Sequence, residues 1–160
     1  MKITFSKTAV AVSTLLLLSS VAVAQEQKLG LGVSVAGDNA ATIRGTINLD
    51  ETMRLEPFLG YQYRKIDGAN NSETAFTIGT SFHMLQPVSS TVSAYYGGFV
   101  AFQNEDNGVS RNTFNLGPVA GVEYAFDPQF TLGAEVRFNL GFGDVSTFGT
   151  DSAVVLRYYF

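Results

Sequence analysis

Cysteine is absent from the 160 residues, which removes both disulfide frameworks and thiolate chemistry. Histidine occurs once, at His83, so no cluster of imidazoles is available to hold a metal. Beyond residue 24 there is no apolar run near the ~18 residues that a transmembrane helix needs. Charge is sparse too. Without Lys2 and Lys7 of the N-terminal segment, eight basic residues stand against fourteen acidic ones, a net charge of −6. That sign makes nucleic acid an unsuitable partner.

The N-terminal segment reads as a cleaved export signal spanning residues 1–24. Lys2 and Lys7 give its positive end, Thr8 to Val23 its apolar centre, and Ala22-Val23-Ala24 its small-residue cleavage site before Gln25. Residues 25–160 then form one domain. A small exported domain without disulfides needs another source of stability, and a closed hydrogen-bond ladder supplies one.

What the chain has in abundance is alternation at period two, the signature of strands with two unlike faces. Leu29, Leu31, Val33 and Val35 alternate with Gly30, Gly32, Ser34 and Ala36. Further strands are predicted over 41–50, 54–64, from 73 to 84, 92–102, 114–126, 130–142 and 151–160. The stretch 130–142 is the clearest: every even position is apolar, and Thr131, Gly133, Glu135, Arg137 and Asn139 lie between. Turns are expected at 37–40, 50–53, 84–90 and 127–129. Longer polar loops are expected at 65–72, 103–112 and 143–151. Pro57 and Pro118 interrupt ladders that should be continuous, and bulges or rim positions are expected there.

Alternation alone does not say which face is inside, since a soluble lipocalin-like binding barrel has the same pattern with the faces exchanged. Volume decides. An eight-stranded barrel has an interior just wide enough to be filled by side chains. The apolar face carries Tyr61, Tyr63, Phe76, Phe82, Tyr96, Phe102, Phe114, Tyr124, Phe126, Phe130, Phe138, Phe142, Tyr158 and Phe160, too much for that space. The other face carries nine glycines beside Arg and Glu, which suits a cramped lumen. The expected fold is all-β: an eight-stranded antiparallel up-and-down transmembrane β-barrel. Its apolar face meets lipid, with aromatics in two interfacial girdles.

The C-terminal Leu156-Arg-Tyr-Tyr-Phe160 resembles the terminal signal of bacterial outer-membrane barrels, in which a final Phe follows alternating hydrophobics. Gly121-Val-Glu-Tyr-Ala-Phe-Asp-Pro-Gln-Phe-Thr-Leu-Gly-Ala-Glu-Val-Arg-Phe138 is similar to the hairpins of the small OmpA/OmpX-type "porin family" barrels, and the likeness spans residues 25–160. The resemblance implies a monomer in a Gram-negative outer membrane. Its partners would be outer-membrane lipid and lipopolysaccharide, and the barrel-assembly machinery would read Leu156, Tyr158 and Phe160. It implies no cofactor.

Candidate functional residues lie on the lumen face: Arg44, Arg54, Glu56, Glu123, Glu135, Arg137 and Arg157, with Arg64 nearer one end. Buried charges must be paired, so these form either a structural plug or the polar gate of a narrow channel for small solutes. Phe58, Tyr95, Phe99 and Tyr159 share that face and favour the plug. No catalytic or metal residues are assigned. Ser81 and His83 have the wrong order for the His-x-Ser pair of barrel deacylases, and both point to the lumen. The outer acids Asp67, Glu105, Asp106, Asp144 and Asp151 read as solvated loop tips.

Overall fold

The computed structural model describes residues 29–36, 40–65, 72–144 and 146–160. The expected export signal lies outside them, as do most of the 37–40 turn and the 65–72 loop. Eight strands form one closed antiparallel barrel in chain order. They are β1 (Leu29–Ala36), β2 (Ala41–Asn48), β3 (Met53–Lys65), β4 (Ser72–Pro87), β5 (Val92–Asp106), β6 (Ser110–Ala125), β7 (Phe130–Gly143) and β8 (Thr147–Tyr159). β8 pairs with β1 from Tyr159↔Gly30 to Ala153↔Ala36 and closes the ring. The last residue joins the seam, where the Phe160 amide donates to the Leu29 carbonyl at 2.9 Å.

The two faces separate as the alternation requires. Leu31, Val33, Ile43, Phe82, Phe102, Val136, Phe138 and Leu156 are exposed on the exterior. Arg44, Arg54, Glu56, Ser81, His83, Glu135 and Arg157 are buried within. Charge inside and hydrocarbon outside is the reverse of a lipocalin-like barrel. At the end bearing the termini, Phe130, Tyr158 and Phe160 form a continuous aromatic cluster, with ring centroids 4.8 and 5.6 Å apart.

Strand ends differ from the sequence reading. β5 runs on to Asp106 and β6 begins at Ser110, so most of the expected 103–112 loop is paired strand. β8 likewise begins at Thr147 rather than 151, whereas β2 stops at Asn48. Backbone pairing sets these ends, and a polar hairpin can continue its ladder in water after the apolar pattern has stopped.

The prolines give a second correction. Every ladder keeps a single register, with no extra residue at Pro57 or Pro118. The missing amide removes local pairing only. Gly45 and Thr46 lose their partners on β3, and Gly117 and Pro118 lose theirs on β7, while the pairs on either side stay in step.

At the β2–β3 turn the Asp50 carboxylate accepts bonds from the Thr52 amide at 2.6 Å, the Thr52 hydroxyl at 2.8 Å and the Met53 amide at 2.8 Å. The Thr52 backbone bond is the largest cause holding its pKa below the ordinary value. A depressed folded pKa stabilises the turn above the unfolded titration range, and that contribution fades as pH falls through the folded value. Carboxyl NMR should show Asp50 titrating below an unstructured aspartate. A midpoint at or above that reference would contradict the capping geometry.

Candidate functional site: an ion chain across the lumen

Seven charged side chains alternate in sign along the lumen: Arg54–Glu123–Arg157–Glu56–Arg44–Glu135–Arg137. Arg54 starts the chain near the termini and donates to both Glu123 oxygens, at 2.8 and 2.7 Å. Arg157 links Glu123, at 3.2 Å from Nη1, to Glu56, which accepts from its Nε at 2.6 Å and its Nη2 at 3.2 Å. Arg44 reaches Glu56 at 3.3 Å and both oxygens of Glu135 at 3.2 and 3.1 Å. Arg137 ends the chain through its Nε, 2.7 Å from Glu135.

Five strands contribute these residues, and the decisive contacts cross the lumen. Arg54 on β3 meets Glu123 on β6, and Arg44 on β2 meets Glu135 on β7. Neutral groups complete the set. Thr46 donates to Glu56 at 3.3 Å, the Tyr95 hydroxyl to Glu135 at 3.1 Å, and Arg44 Nε to Ser34 at 3.0 Å. A charge removed from water costs several kcal/mol, and only close, well-bonded partners offset it. Each of the three glutamates here lies between two arginines. The Arg64 side chain, also assigned to the lumen, falls outside the described side chains.

The aromatic filling has its own rule. Phe58, Tyr95, Phe99 and Tyr159 each stand directly across a ladder from a glycine: Gly79, Gly121, Gly117 and Gly30. At Gly79 and Gly121 the ring lies in the space a side chain would have taken, as in aromatic rescue of strand glycines, whereas at Gly117 the Phe138 carbonyl and at Gly30 the Tyr158 carbonyl come nearest. Sequence reading placed these aromatics and glycines on one face but missed the pairing, which needs the register.

Ser34, Thr46 and the Ser81–His83 pair are also buried here. His83 stacks on Tyr95 at 4.8 Å, and Nδ1 lies 3.8 Å from Glu56. Ser81 accepts a long 3.5 Å contact from Arg137, and no hydrogen bond joins it to His83. A nucleophile–base pair needs that bond, so these residues do not form one.

Glu56, His83 and Glu135 do place one ligand atom each within 4.8 Å of one another. The donor types suit a divalent ion, but the charges do not. Arg44 and Arg157 already bond these carboxylates, and a dication would sit against both guanidiniums.

Beyond Arg137 the lumen opens. A cavity of about 240 Å³ faces the end opposite the termini, lined by Ala36, Ala75, Ala101, Asn115, Asn139 and Asp151 among others, with Arg44, Phe58, Phe99 and Arg137 at its floor. The acids around that end mostly serve local bonds. Asp106 accepts from the Gly108 amide, Asp144 from the Asn112 amide and Glu105 from Gln103.

Comparison with known proteins places this geometry in a family of shapes. Neisserial surface protein A superposes with a TM-score of 0.62 at 17% identity, over 84% of this chain and 94% of that one. The fold is that of a small outer-membrane barrel. The Yersinia pestis outer membrane protein Ail in a phospholipid bilayer nanodisc matches at 0.55 and 12% identity, over 84% of this chain and all of that one. A major outer membrane protein from Thermus thermophilus matches at 0.53 and 11%, over 85% and all. No protein-family model and no curated protein sequence matches the chain.

Proposed function

We propose that this protein is a non-conducting, monomeric component of a bacterial outer membrane, a structural or surface-interaction barrel whose lumen is plugged. The carrying observation is the ion chain. Arg44, Glu56 and Arg157 at its centre are almost fully buried, so conduction would require breaking buried ion pairs. Insertion follows from the exterior. A surface of Leu, Val, Phe and Tyr with its polar backbone groups laddered internally is matched to hydrocarbon. The termini and the short turns near 50, 90 and 128 would face the periplasm. Lipid and lipopolysaccharide would cover the belt.

Planar-bilayer recording of the refolded chain tests the plug. No resolvable unitary current is expected from wild type. Reproducible channels whose conductance changes in Glu135→Ala would replace this reading with that of a narrow solute channel, for which the cavity beyond Arg137 would be the entrance.

Assembly supplies a further prediction. Leu156, Tyr158 and Phe160 all sit on the exterior of the closing strand, exposed at the seam. On this reading they are an edge for the assembly machinery before closure. Deleting Phe160 should lower the amount of folded protein in the outer membrane while leaving detergent refolding largely intact. Equal accumulation of the two forms in cells would count against it.

A further inference from the structure

The ion chain is unequal at its ends. Both termini of the alternation are arginines, so the seven members carry one surplus positive charge. Arg54 ends the chain with both its Nη groups on Glu123 and its Nε on Asn48 at 3.1 Å. Arg137 is different. Among the described residues its good hydrogen bond is the one from Nε to Glu135, and the other is the long contact to Ser81.

The Arg137 guanidinium is also held in place. It lies 4.8 Å from the Phe58 ring centroid and 5.1 Å from that of Phe99, at the floor of the open cavity. Its side chain keeps 14% exposure, where Arg44, Arg54 and Arg157 keep 3% or less. A weakly hydrated cation held between two rings has little conformational freedom left to lose on binding. The next member of the alternation, on the cavity side, would be an anion.

The walls restrict its chemistry. Ala36 and Ala153, paired across β1 and β8, present methyl groups on one side and Ala75 and Ala101 on the other, with Thr42, Thr77, Gln103 and Ser152 among the polar lining and Asn115 and Asn139 adding amides. Asp151 lines the cavity as well, on the register pair of Arg137, and penalises an anion that is multiply charged.

We propose that this vestibule binds a short-chain carboxylate, its head on Arg137 and its short alkyl tail against the paired methyl groups of Ala36 and Ala153. The carboxylate would take the place an eighth, acidic member of the chain would hold. This goes beyond the non-conducting reading and does not need it, because occupancy above Arg137 is independent of leakage past Glu56.

The test uses the full mature barrel refolded in nanodiscs in a carboxylate-free buffer, with hexanoate as the probe. Side-chain NMR should show saturable shifts at Arg137 Nε and at the Asn115 and Asn139 amides. Hexanol and inorganic phosphate should bind at least tenfold more weakly. Arg137→Gln should weaken hexanoate at least tenfold. Since that variant shortens the ion chain, Ala36→Leu is the second probe. It fills the cavity away from the charges, and should abolish the shifts while leaving Arg137 Nε at its ligand-free position.

Equal response to hexanol would overturn the proposal in favour of partition into the bilayer. Tighter phosphate binding would overturn the carboxylate class. Hexanoate binding unaffected by both substitutions would place the ligand elsewhere.

Discussion

Glu56→Ala should unfold at a markedly lower denaturant concentration than wild type, with a loss of about 3–5 kcal/mol. Glu56 is fully buried and accepts from Arg157, Arg44 and Thr46, with Arg54 3.9 Å away. Its removal takes two of the three bonds of Arg157 and one of the four of Arg44, and leaves two buried guanidiniums facing each other. The cost is therefore the stranding of the partners, not the worth of one contact. Arg137→Ala should cost less, because Arg137 is a chain end and partly exposed. Glu135→Ala should lie between, since it takes two bonds from Arg44 and the short one from Arg137, but Arg137 is partly exposed and Arg157 keeps its pairs, and it should destabilise without opening a pore. Urea titration of the three variants in one detergent gives the order directly. A Glu56→Ala barrel as stable as Arg137→Ala would mean that water enters the lumen and screens the chain.

Gly121→Leu should be nearly as damaging, for a steric reason. A Cβ at Gly121 would lie 2.4 Å from Tyr95 Cζ, 2.5 Å from its hydroxyl and 2.6 Å from the Ala134 carbonyl. The ring can move, but only by giving up its bond to Glu135, and the carbonyl cannot move without breaking a ladder. Overpacking of this kind costs about 1–3 kcal/mol or more, and loss of the charged hydrogen bond adds roughly 1.5–3. Gly79→Val should behave alike, with Val100 O at 2.5 Å, Phe58 Cζ at 2.6 Å and Ala101 Cβ at 2.8 Å from the new Cβ. Gly149 is the control, since no atom lies within 4 Å of a Cβ built there. Gly149→Ala should shift stability by less than about 0.5 kcal/mol. Similar losses at Gly121 and Gly149 would show that strand propensity, not the ring–glycine fit, sets the requirement.

The difference between these sites marks how far the chain could be read unaided. That Arg44, Glu56, Glu123, Glu135 and Arg157 turn inward while Phe82, Phe102 and Leu156 turn outward follows from period two, a property each strand carries by itself. Strand number, closure and the faces were therefore legible, and Tyr158 and Phe160 announced the closing edge. The ends of β5, β6 and β8 were not, because polar hairpins lengthen without an apolar signal. Nor was the continuity of register past Pro57 and Pro118, which depends on what the neighbouring strand tolerates.

The partners within the lumen were the least legible of all. By sequence, Glu123, Glu135, Arg137 and Arg157 sit on adjacent strands and would meet at similar depth. In the barrel, Glu135 does bond Arg137 at 2.7 Å and Glu123 does meet Arg157 at 3.2 Å, but Glu123 takes its shortest bonds from Arg54, 69 positions away on the opposite wall. Arg44 and Glu135 are separated by 91 positions. Depth along the axis depends on how far each strand slides and tilts when the whole sheet closes, and no single strand encodes that. The sequence by itself determined which side chains enter the lumen, because facing is local. Only the closed sheet decided which of them touch, which glycine receives each ring, and that the alternation ends on Arg137 beneath an open cavity. Those outcomes are set by shear and register summed around eight strands.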